Sequence, residues 1–394
     1  MRIGIDARSI GNAEVGPGIY TRQLIDRLSR AAPDWEFLLY GTRWEEGTFF
    51  PGGANVRRRP LGLRGGRRIG NLVFEQVLLP DALVRDSCDL LWSPAFVLPV
   101  RRRPPQVVTM HDAVPLLFTR GMSFPRRLVY RPLLRVNARQ ADRILTVSHS
   151  SARDLERVLG VDPAKVRVIP NGCDERFTPP GCTEAPALHA LLAQLGIEAP
   201  YLLFTGGLLP RKNVHGLLEA FARVISRDRG EHLRTLVLTG KTDHGGNSGY
   251  VRRLRERGEG LGIAERLRFV GFRCREEIRL LYGGALVSAD PSFYEGFGFP
   301  LVESMACGCP VVASDRSSMP EVAGDAALLV DPDSVDEIAR AIEEIACSPA
   351  LRAEMRTRGI LRARSFSWET SAQQTLEVFC EVLGGTGRIR ELAA

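Results

Sequence analysis

The sequence predicts an α/β protein made of two domains, each with a mostly parallel sheet that helices cover on both faces. The chain has 394 residues, more than a single hydrophobic core usually serves. Strand-like apolar runs alternate with amphipathic helical patterns in both halves. A stretch rich in proline and turn residues at 171–200 separates the two alternations. The predicted domains are therefore 1–180 and 199–367, and we expect the last helix, 368–394, to pack back onto the first domain.

The elements of the first half follow from residue spacing. A strand at 2–5 leads through a polar, glycine-containing loop at 9–18 into an amphipathic helix near 19–31. Its further strands are predicted at 37–40, 89–93, 107–110, 143–148 and 166–170. The strands of the second half are predicted at 201–207, 233–240, 266–272, 285–290, 310–314 and 326–330. Two such sheets predict a ligand in the cleft between them, at the carboxyl ends of both sets of strands.

Charge alone does not select a partner. The formal net charge of +7 and the isoelectric point near 9.2 suit nucleic acid, a membrane surface or phosphorylated substrates. Only Lys165, Lys212 and Lys241 are lysines among the basic residues, a bias typical of genomic base composition. Aromatic residues make up 7% of the chain and none interleaves with the arginines of 57–68. The basic charge leaves a non-enzymatic nucleic-acid-binding protein as the alternative from another class. Because such proteins interleave aromatic and basic residues, we expect no nucleic acid as partner.

The cellular location and the absence of a metal site are predicted from sequence patterns that the chain lacks. No apolar run is long enough to span a bilayer, and the first residues form a short alternating strand rather than a signal peptide. We expect a cytoplasmic protein. The eight cysteines show neither a C-x-x-C pair nor ligand spacing with histidine, so neither a metal site nor a disulfide framework is predicted.

The segment PSFYEGFGFPLVESMACGCPVVAS (291–314) is the richest in chemistry. Glu295 precedes a helix that is predicted to begin near Pro300, and Glu303 lies in its first turns. Free backbone N–H groups around 297–299 are donors for an anion or a hydroxyl. The two carboxylates can contact different parts of one elongated ligand, and nothing forces them to form a close pair.

This segment resembles family 4 of the retaining glycosyltransferases. The resemblance is carried by E-G-F-G-x-P-x-x-E together with M-A-x-G-x-P-V-V and S-S-x-P-E-V-A-G-D-A-A. It implies the GT-B fold, in which two Rossmann-like domains face a central cleft. It also implies that Glu295 lies by the transferred sugar and that Glu303 holds the ribose hydroxyls. The backbone amides that bind the sugar would be those of Phe297, Gly298 and Phe299.

The segment TGGLLPRKN (205–213) predicts a diphosphate site. Gly206 and Gly207 permit a tight turn after a strand, and Arg211 and Lys212 add positive charge at a helix N-terminus. The resembling family places an arginine and a lysine here against the pyrophosphate. No Asp-x-Asp occurs in the catalytic context, so these two residues are expected to offset the charge of the leaving group without a metal ion.

The first half carries two weaker candidates. His111 and Asp112 follow a strand in VTMHDAVPL (108–116), and the histidine of the resembling H-D segment contacts the sugar. Gly16 and Gly18, in EVGPGIYTR (14–22), resemble the glycine-rich loop that family members place by the phosphates and acceptor. As a dinucleotide fingerprint this loop fails, because Thr21 stands where a third glycine is wanted.

Two further features concern the base of the nucleotide. The turn at Phe272 and Arg273 is expected to approach the base, mainly through its backbone. The run Ser288-Ala289-Asp290 departs from the family, which usually has more apolar residues here, so a different base pocket is expected.

The predicted activity is hexosyl transfer with retention, in which Glu295, Arg211, Lys212 and His111 serve catalysis. GIDAR at the start and H-D-x-x-P-L resemble bacterial mannosyltransferases of polysaccharide assembly, which favours GDP-mannose as donor and a saccharide or lipid-linked acceptor. UDP-glucose, UDP-N-acetylglucosamine and a deoxyhexose donor stay open. A sugar phosphorylase or a nucleotide-sugar epimerase of GT-B type is the alternative enzyme.

An arginine pattern raises the question of a membrane. Arg127, Arg131, Arg135, Arg139 and Arg143 recur at every fourth position, which on a helix makes a basic stripe. Together with the arginines at 57–59, 64, 67 and 68, this stripe predicts peripheral contact with an anionic membrane, and the alternative is a solvated helix face. Pro132 is expected to interrupt the helix.

Overall fold

The computed structural model divides the chain into two units, Met1–Gly172 together with Ser367–Ala394, and Cys173–Phe366. It describes residues 1–12, 16–42, 53–62, 71–101, 104–118, 124–228, 231–240 and 248–384. The side chains of 11, 12, 124–130, 228 and 248 lie outside this description.

The first unit is built on a parallel sheet of seven described strands in the order β3-β2-β1-β4-β5-β6-β7. In chain order these strands are β1 Arg2–Asp6, β2 Glu36–Gly41, β3 Val56–Pro60, β4 Leu90–Ser93, β5 Gln106–Thr109, β6 Arg143–Thr146 and β7 Val166–Val168. Most of them are buried along their length, as parallel strands covered by helices are.

Helices cover this sheet. They are α1 Gly16–Ala31, α2 Leu79–Arg85, α3 Val114–Leu117, α4 Phe124–Gln140, α5 His149–Leu159 and, from the end of the chain, α14 Trp368–Val382. A π-helical turn, Phe74–Leu78, precedes α2. The last helix, α14, lies against α1, and the backbone of Trp368 lies so close to Gly172 that a Cβ there would be 2.3 Å from the Trp368 nitrogen.

The second unit has a parallel sheet of six described strands in the order β10-β9-β8-β11-β12-β13. In chain order these are β8 Tyr201–Phe204, β9 Thr235–Thr239, β10 Leu267–Gly271, β11 Val287–Asp290, β12 Val311–Ser314 and β13 Leu328–Val330. The helices are α6 Ala185–Leu195, α7 Val214–Asp228, α8 Ser248–Gly260, α9 Arg275–Gly284, α10 Phe299–Ala306, α11 Met319–Ala323, α12 Val335–Cys347 and α13 Pro349–Ala363. The predicted class, two doubly wound parallel-sheet domains, is confirmed.

The structure differs from the sequence-based expectation at the start of the second unit. The predicted linker at 171–200 contains α6, whose Leu191 and Leu192 are buried in the hydrophobic core. Residues from Cys173 onward belong to the second unit, whereas the predicted first domain extended to residue 180. Proline at the start of a helix is compatible with helix formation, so Pro186 begins α6 rather than breaking the chain.

Three more local expectations were wrong. Gly16 and Gly18 lie in the first turn of α1 rather than in a loop, and residues 13–15 are outside the description. The strand β3 was not predicted, because its arginines hide the strand pattern. The helix α4 continues through Pro132, which removes one backbone donor without ending the helix.

Candidate active site

The candidate active site of the second unit forms where β8 and β11, which are paired neighbours in the sheet, reach their carboxyl ends. The segment after β8 carries Arg211 and Lys212, and the segment after β11 carries Glu295. Parallel strands deliver both segments to one edge of the sheet, where ligands of such folds bind. Strand pairing therefore brings Glu295 to Arg211 and Lys212, which are far from it in the chain.

The turn after β8 depends on glycine. Gly206 has φ +127, a conformation that side-chain-bearing residues rarely adopt, and a Cβ there would lie 3.5 Å from Lys212 Nζ. The chain then forms a short 3₁₀ turn, Pro210–Lys212, before α7 begins. Gly207 has no positive φ, so the predicted tight turn requires Gly206 alone.

The segment after β11 is fixed by its backbone. The N–H of Phe293 donates to the carbonyl of Arg211 at 2.8 Å, which joins the two loops directly. The N–H of Glu295 donates to Ser317 Oγ at 2.9 Å. The hydroxyl of Ser318 donates to the carbonyls of Glu295 and Phe297, at 2.9 and 3.1 Å. The position of Glu295 is therefore set by its neighbours on both sides.

Glu295 holds both cations of the 205–213 segment. Its Oε1 lies 2.6 Å from Arg211 Nη1 and 2.6 Å from Lys212 Nζ. Arg211 also donates to the carbonyl of Tyr294 at 2.9 Å. Lys212 is 4% exposed and Glu295 is 8% exposed, so the contacts are formed in a largely dehydrated site, where charge interactions are strong.

Asp290, the last residue of β11, also belongs to this cluster, although it was not predicted as a site residue. Its Oδ2 lies 3.5 Å from Lys212 Nζ, and its Oδ1 accepts a hydrogen bond from Ser292. Asp290 thus contacts the lysine, and the expected effect of the 288–290 run on the base pocket stays a prediction. Its signal in the sequence was a carboxylate at the carboxyl end of a buried strand.

Electrostatics separate the two carboxylates. Burial alone raises the pKa of Glu295, but Lys212 and Arg211 outweigh this effect and hold its pKa below the usual value. Burial raises the pKa of Asp290, Lys212 opposes this and the charge of Glu295 adds to it, so its pKa lies above the usual value. The two cations therefore have the larger effect on the pKa of Glu295, whereas burial has the larger effect on the pKa of Asp290.

The start of α10 is built as predicted. Gly298 precedes it with φ +100, and a Cβ there would lie 3.0 Å from Met319 Sδ, so only glycine fits. Pro300 lies in the first turn. The buried ring of Phe297 packs edge-on against Phe299, at 5.5 Å between ring centroids. These rings orient the backbone at the N-terminus of α10, where N–H groups favour anions and hydroxyl acceptors.

Glu303 lies on α10 in a second ionic cluster. Its Oε1 is 3.7 Å from Arg275 Nη1, and the same guanidinium group lies 3.1 Å from Asp174 Oδ2. Arg176 holds Asp174 at 2.8 Å. Glu295 and Glu303 thus contact different cations, and their predicted contacts with different parts of one ligand stay a prediction.

The pKa of Glu303 is raised to about 7, above all by burial. Arg275 and Lys212 lower it, while the charge of Asp174 raises it. The carboxyl group therefore titrates near neutral pH, and its ionised form is the stronger acceptor for sugar hydroxyls. Asp174 and Arg275 were missed as site residues. Asp174 ends the motif IPNGCD at 169–174, which resembles a segment of the family, whereas no pattern in the sequence indicated Arg275.

The turn at Phe272 and Arg273 follows β10. The Phe272 side chain is 45% exposed, and Arg273 lies 3.4 Å from Glu277. The N–H of Gly240 donates to the carbonyl of Gly271 at 2.9 Å, which ties this turn to the end of β9. Its predicted contact with a base stays a prediction.

His111 belongs to the first unit, just after β5. It is 8% exposed, and its ring lies edge-on to Tyr20, with 4.7 Å between ring centroids. Its Nε2 lies 2.8 Å from the carbonyl oxygen of Pro94, so this nitrogen carries the proton and donates it. Burial lowers the pKa of His111 to about 4, against the effect of that hydrogen bond, and the imidazole is neutral at physiological pH.

Asp112 has a local role in the same segment. Its Oδ1 accepts a hydrogen bond from the N–H of Val114 at 2.9 Å, in a turn just before α3.

The described part of the chain contains no group of three or more histidine, cysteine, aspartate or glutamate side chains arranged to hold a metal ion. It also contains no helix long and apolar enough to cross a membrane.

Comparison with known proteins assigns the chain to a family. Residues 192–362 match the model of the group 1 glycosyl transferases, and residues 16–177 match that of glycosyltransferase family 4. The O-antigen chain mannosyltransferase B of Escherichia coli is 34% identical over 300 residues, which are 75% of this chain and 75% of that protein. The D-inositol 3-phosphate glycosyltransferase of Rhodococcus erythropolis is 31% identical over 244 residues, which are 61% of this chain and 54% of that protein.

Solved structures confirm the GT-B fold. Sucrose-phosphate synthase from Thermosynechococcus elongatus superposes with a TM-score of 0.77, covering 98% of this chain and 100% of that one at 22% sequence identity. At that level of identity the likeness concerns the fold alone.

Proposed function

Since the chain belongs to the family 4 glycosyltransferases, we propose that it is a retaining, metal-independent hexosyltransferase that uses a nucleotide-diphosphate sugar. The observation that carries this proposal is the contact of Arg211 and Lys212 with Glu295. It supplies two fixed positive charges for a leaving diphosphate beside a carboxylate for the sugar. Hydrolysis by two carboxylates would leave both cations without a role.

The donor is proposed to lie along the second unit from α7 to α10. Its diphosphate would bind Arg211 and Lys212, and the transferred sugar would lie at Glu295 and the backbone of 297–299. Glu303 would accept hydrogen bonds from the ribose hydroxyls, and the turn at Phe272 and Arg273 would approach the base. Support comes from the separate ionic partners of Glu295 and Glu303.

The leaving diphosphate accumulates negative charge in the transition state, and preorganised positive charge there lowers the barrier. Lys212 suits this role because its ammonium group is a compact charge in a chain that has only three lysines. The charge that a metal ion would supply is already provided by these two side chains.

Retention is proposed to follow from attack on the same face that the leaving group occupies. The sugar–phosphate bond lengthens, the ring carbon gains oxocarbenium character, and the leaving phosphate takes the proton of the acceptor hydroxyl. No protein nucleophile is needed. His111, neutral and fixed by Pro94, is proposed to contact the sugar, and Gly16 and Gly18 are proposed to lie near the phosphates and acceptor.

The favoured donor is GDP-mannose, and the acceptor is proposed to be a saccharide or a lipid-linked sugar. Both the motif resemblance and the similarity to the E. coli mannosyltransferase support mannose. The protein is proposed to act in the cytoplasm, with peripheral contact to anionic membrane and without nucleic acid.

The test is a panel of nucleotide sugars. Purified protein is incubated with GDP-mannose, UDP-glucose, UDP-N-acetylglucosamine and a nucleotide deoxyhexose, and release of nucleoside diphosphate is measured. GDP-mannose is expected to be hydrolysed fastest, and Lys212→Met should abolish its hydrolysis. Release of nucleoside diphosphate from a UDP-sugar instead would show that the donor is that UDP-sugar. If the protein neither hydrolyses nor binds any nucleotide sugar of the panel, the proposed activity is wrong.

A further inference from the structure

Asp290 is a buried carboxylate to which the proposed reaction gives no role. Only 3% of its surface is exposed. One oxygen, Oδ1, accepts a hydrogen bond from Ser292. The other, Oδ2, is buried and accepts no hydrogen bond within the described part of the chain, but it lies 3.5 Å from Lys212 Nζ. A buried carboxylate is costly unless a cation or donors compensate it, so this position calls for a reason.

Lys212 has two carboxylate partners at different places in the fold. Glu295, at 2.6 Å, lies on the loop after β11, whereas Asp290 ends the strand itself and is held by Ser292. A diphosphate competes with Glu295 for the same ammonium group, since both are anions that need its hydrogens. Asp290 faces no such competition, because its Oδ2 lies in the buried interior rather than at the surface of the site.

We propose that Asp290 is a positioning residue that keeps the ammonium group of Lys212 directed at the diphosphate when the donor displaces Glu295 from it. The inference rests on the proposed function. It adds a further acidic residue to the proposed machinery, one that acts through the lysine and does not touch the donor. Without it, the lysine side chain, which has four rotatable bonds, would lose its fixed direction.

The proposed role is tested by whether Asp290→Asn strengthens or weakens the binding of a nucleoside diphosphate. Asp290→Asn removes a negative charge from an anion-binding site, so a simple charge effect predicts tighter binding of a nucleoside diphosphate. Positioning predicts the opposite, a loss of about fivefold or more. Calorimetric titration with GDP and UDP measures it, with guanosine and uridine as controls that depend on Glu303 and should keep their affinity. Unchanged or tighter diphosphate binding would overturn the proposal.

A double-mutant cycle shows whether Asp290 acts through the lysine. In the Lys212→Met background, Asp290→Asn should cause no further loss of diphosphate affinity. An equal loss in both backgrounds would contradict the proposal. If the melting curve shows that Asp290→Asn does not fold, Ser292→Ala takes its place, because it removes the hydrogen bond to Oδ1 of Asp290. This variant should lose less diphosphate affinity than Asp290→Asn, and an unchanged affinity would count against positioning. A wild-type protein that binds no nucleoside diphosphate would overturn both this proposal and the proposed function.

Discussion

The Nζ atom of Lys212 lies 2.6 Å from Oε1 of Glu295, the oxygen that Arg211 also contacts. In this arrangement the carboxylate that is proposed to lie by the sugar neutralises the cations that are proposed to bind the diphosphate. Glu295→Gln is expected to keep or strengthen nucleoside diphosphate binding, because a competing anion is removed, and to lower transfer by a factor on the order of a hundred. Calorimetry and a transfer assay measure the two effects. The exposed Glu265→Gln in the same unit is the control, and weaker diphosphate binding in Glu295→Gln would contradict the prediction.

Glu303 predicts a pH dependence of donor binding. Its pKa of about 7 means that a proton must leave before the carboxylate can accept two ribose hydroxyls. Affinity for the nucleoside diphosphate should therefore fall as the pH is lowered from about 8 to about 6. Glu303→Gln, which has no proton to lose, separates this effect from the titration of the ligand itself. If both proteins show the same pH profile, Glu303 does not hold the ribose.

Truncation of the Glu303 side chain measures how much it contributes to the free energy of donor binding. Glu303→Ala should weaken binding of the donor and the diphosphate by about 1.5–3 kcal/mol, the range of a charge-assisted hydrogen bond. The melting temperature checks that the Arg275 and Asp174 cluster survives. Unchanged affinity would exclude the ribose role.

Metal independence predicts activity in a chelator. Transfer should be the same with and without EDTA if Arg211 and Lys212 supply the charge that stabilises the leaving group, as proposed. Activity that is lost in EDTA and restored by Mg²⁺ or Mn²⁺ would show that a metal ion takes part.

His111 is expected to stay neutral across physiological pH. Its pKa of about 4 lies below the usual value for histidine, so its NMR signal should not shift between about pH 5.5 and 8. The chain has six histidines, and His111→Phe, which retains an aromatic ring against Tyr20, identifies the signal by its loss. A signal that titrates near pH 6.5 would contradict the buried, neutral state.

The basic stripe predicts binding to anionic liposomes. On α4, Arg131, Arg135 and Arg139 are exposed, whereas Arg127 and the arginines at 64, 67 and 68 fall on residues or side chains outside the description. Replacing these three exposed arginines by glutamine should reduce co-sedimentation with anionic vesicles at low salt. Replacing Arg252, Arg253 and Arg255 of α8 removes the same charge and should not. If the wild-type protein stays in the supernatant at low and physiological salt, the stripe is a solvated face.

The sequence-based predictions agree best with the structure where a few neighbouring residues determine the local backbone conformation. The glycine and proline at the start of α10 indicate a helix N-terminus by spacing alone, and Gly206 indicates the turn after β8. Asp290 could not be assigned in the same way. Its contact with Lys212 joins two segments separated in sequence, and it depends on the pairing of β8 with β11. The contact of Arg275 with Glu303 could not be predicted for a similar reason, because it depends on the packing of their two helices.

The arginines of β3 have a consequence for the behaviour of the chain in solution. Arg57, Arg58 and Arg59 lie in a strand that ends at Pro60 and pairs, among the described strands, only with β2. The outer edge of such a strand offers backbone groups to a second copy, which could extend the sheet from one molecule to the next. Successive like charges repel a matching strand, and proline lacks the N–H that such pairing needs. The residues that conceal this strand in the sequence thus also guard against aggregation.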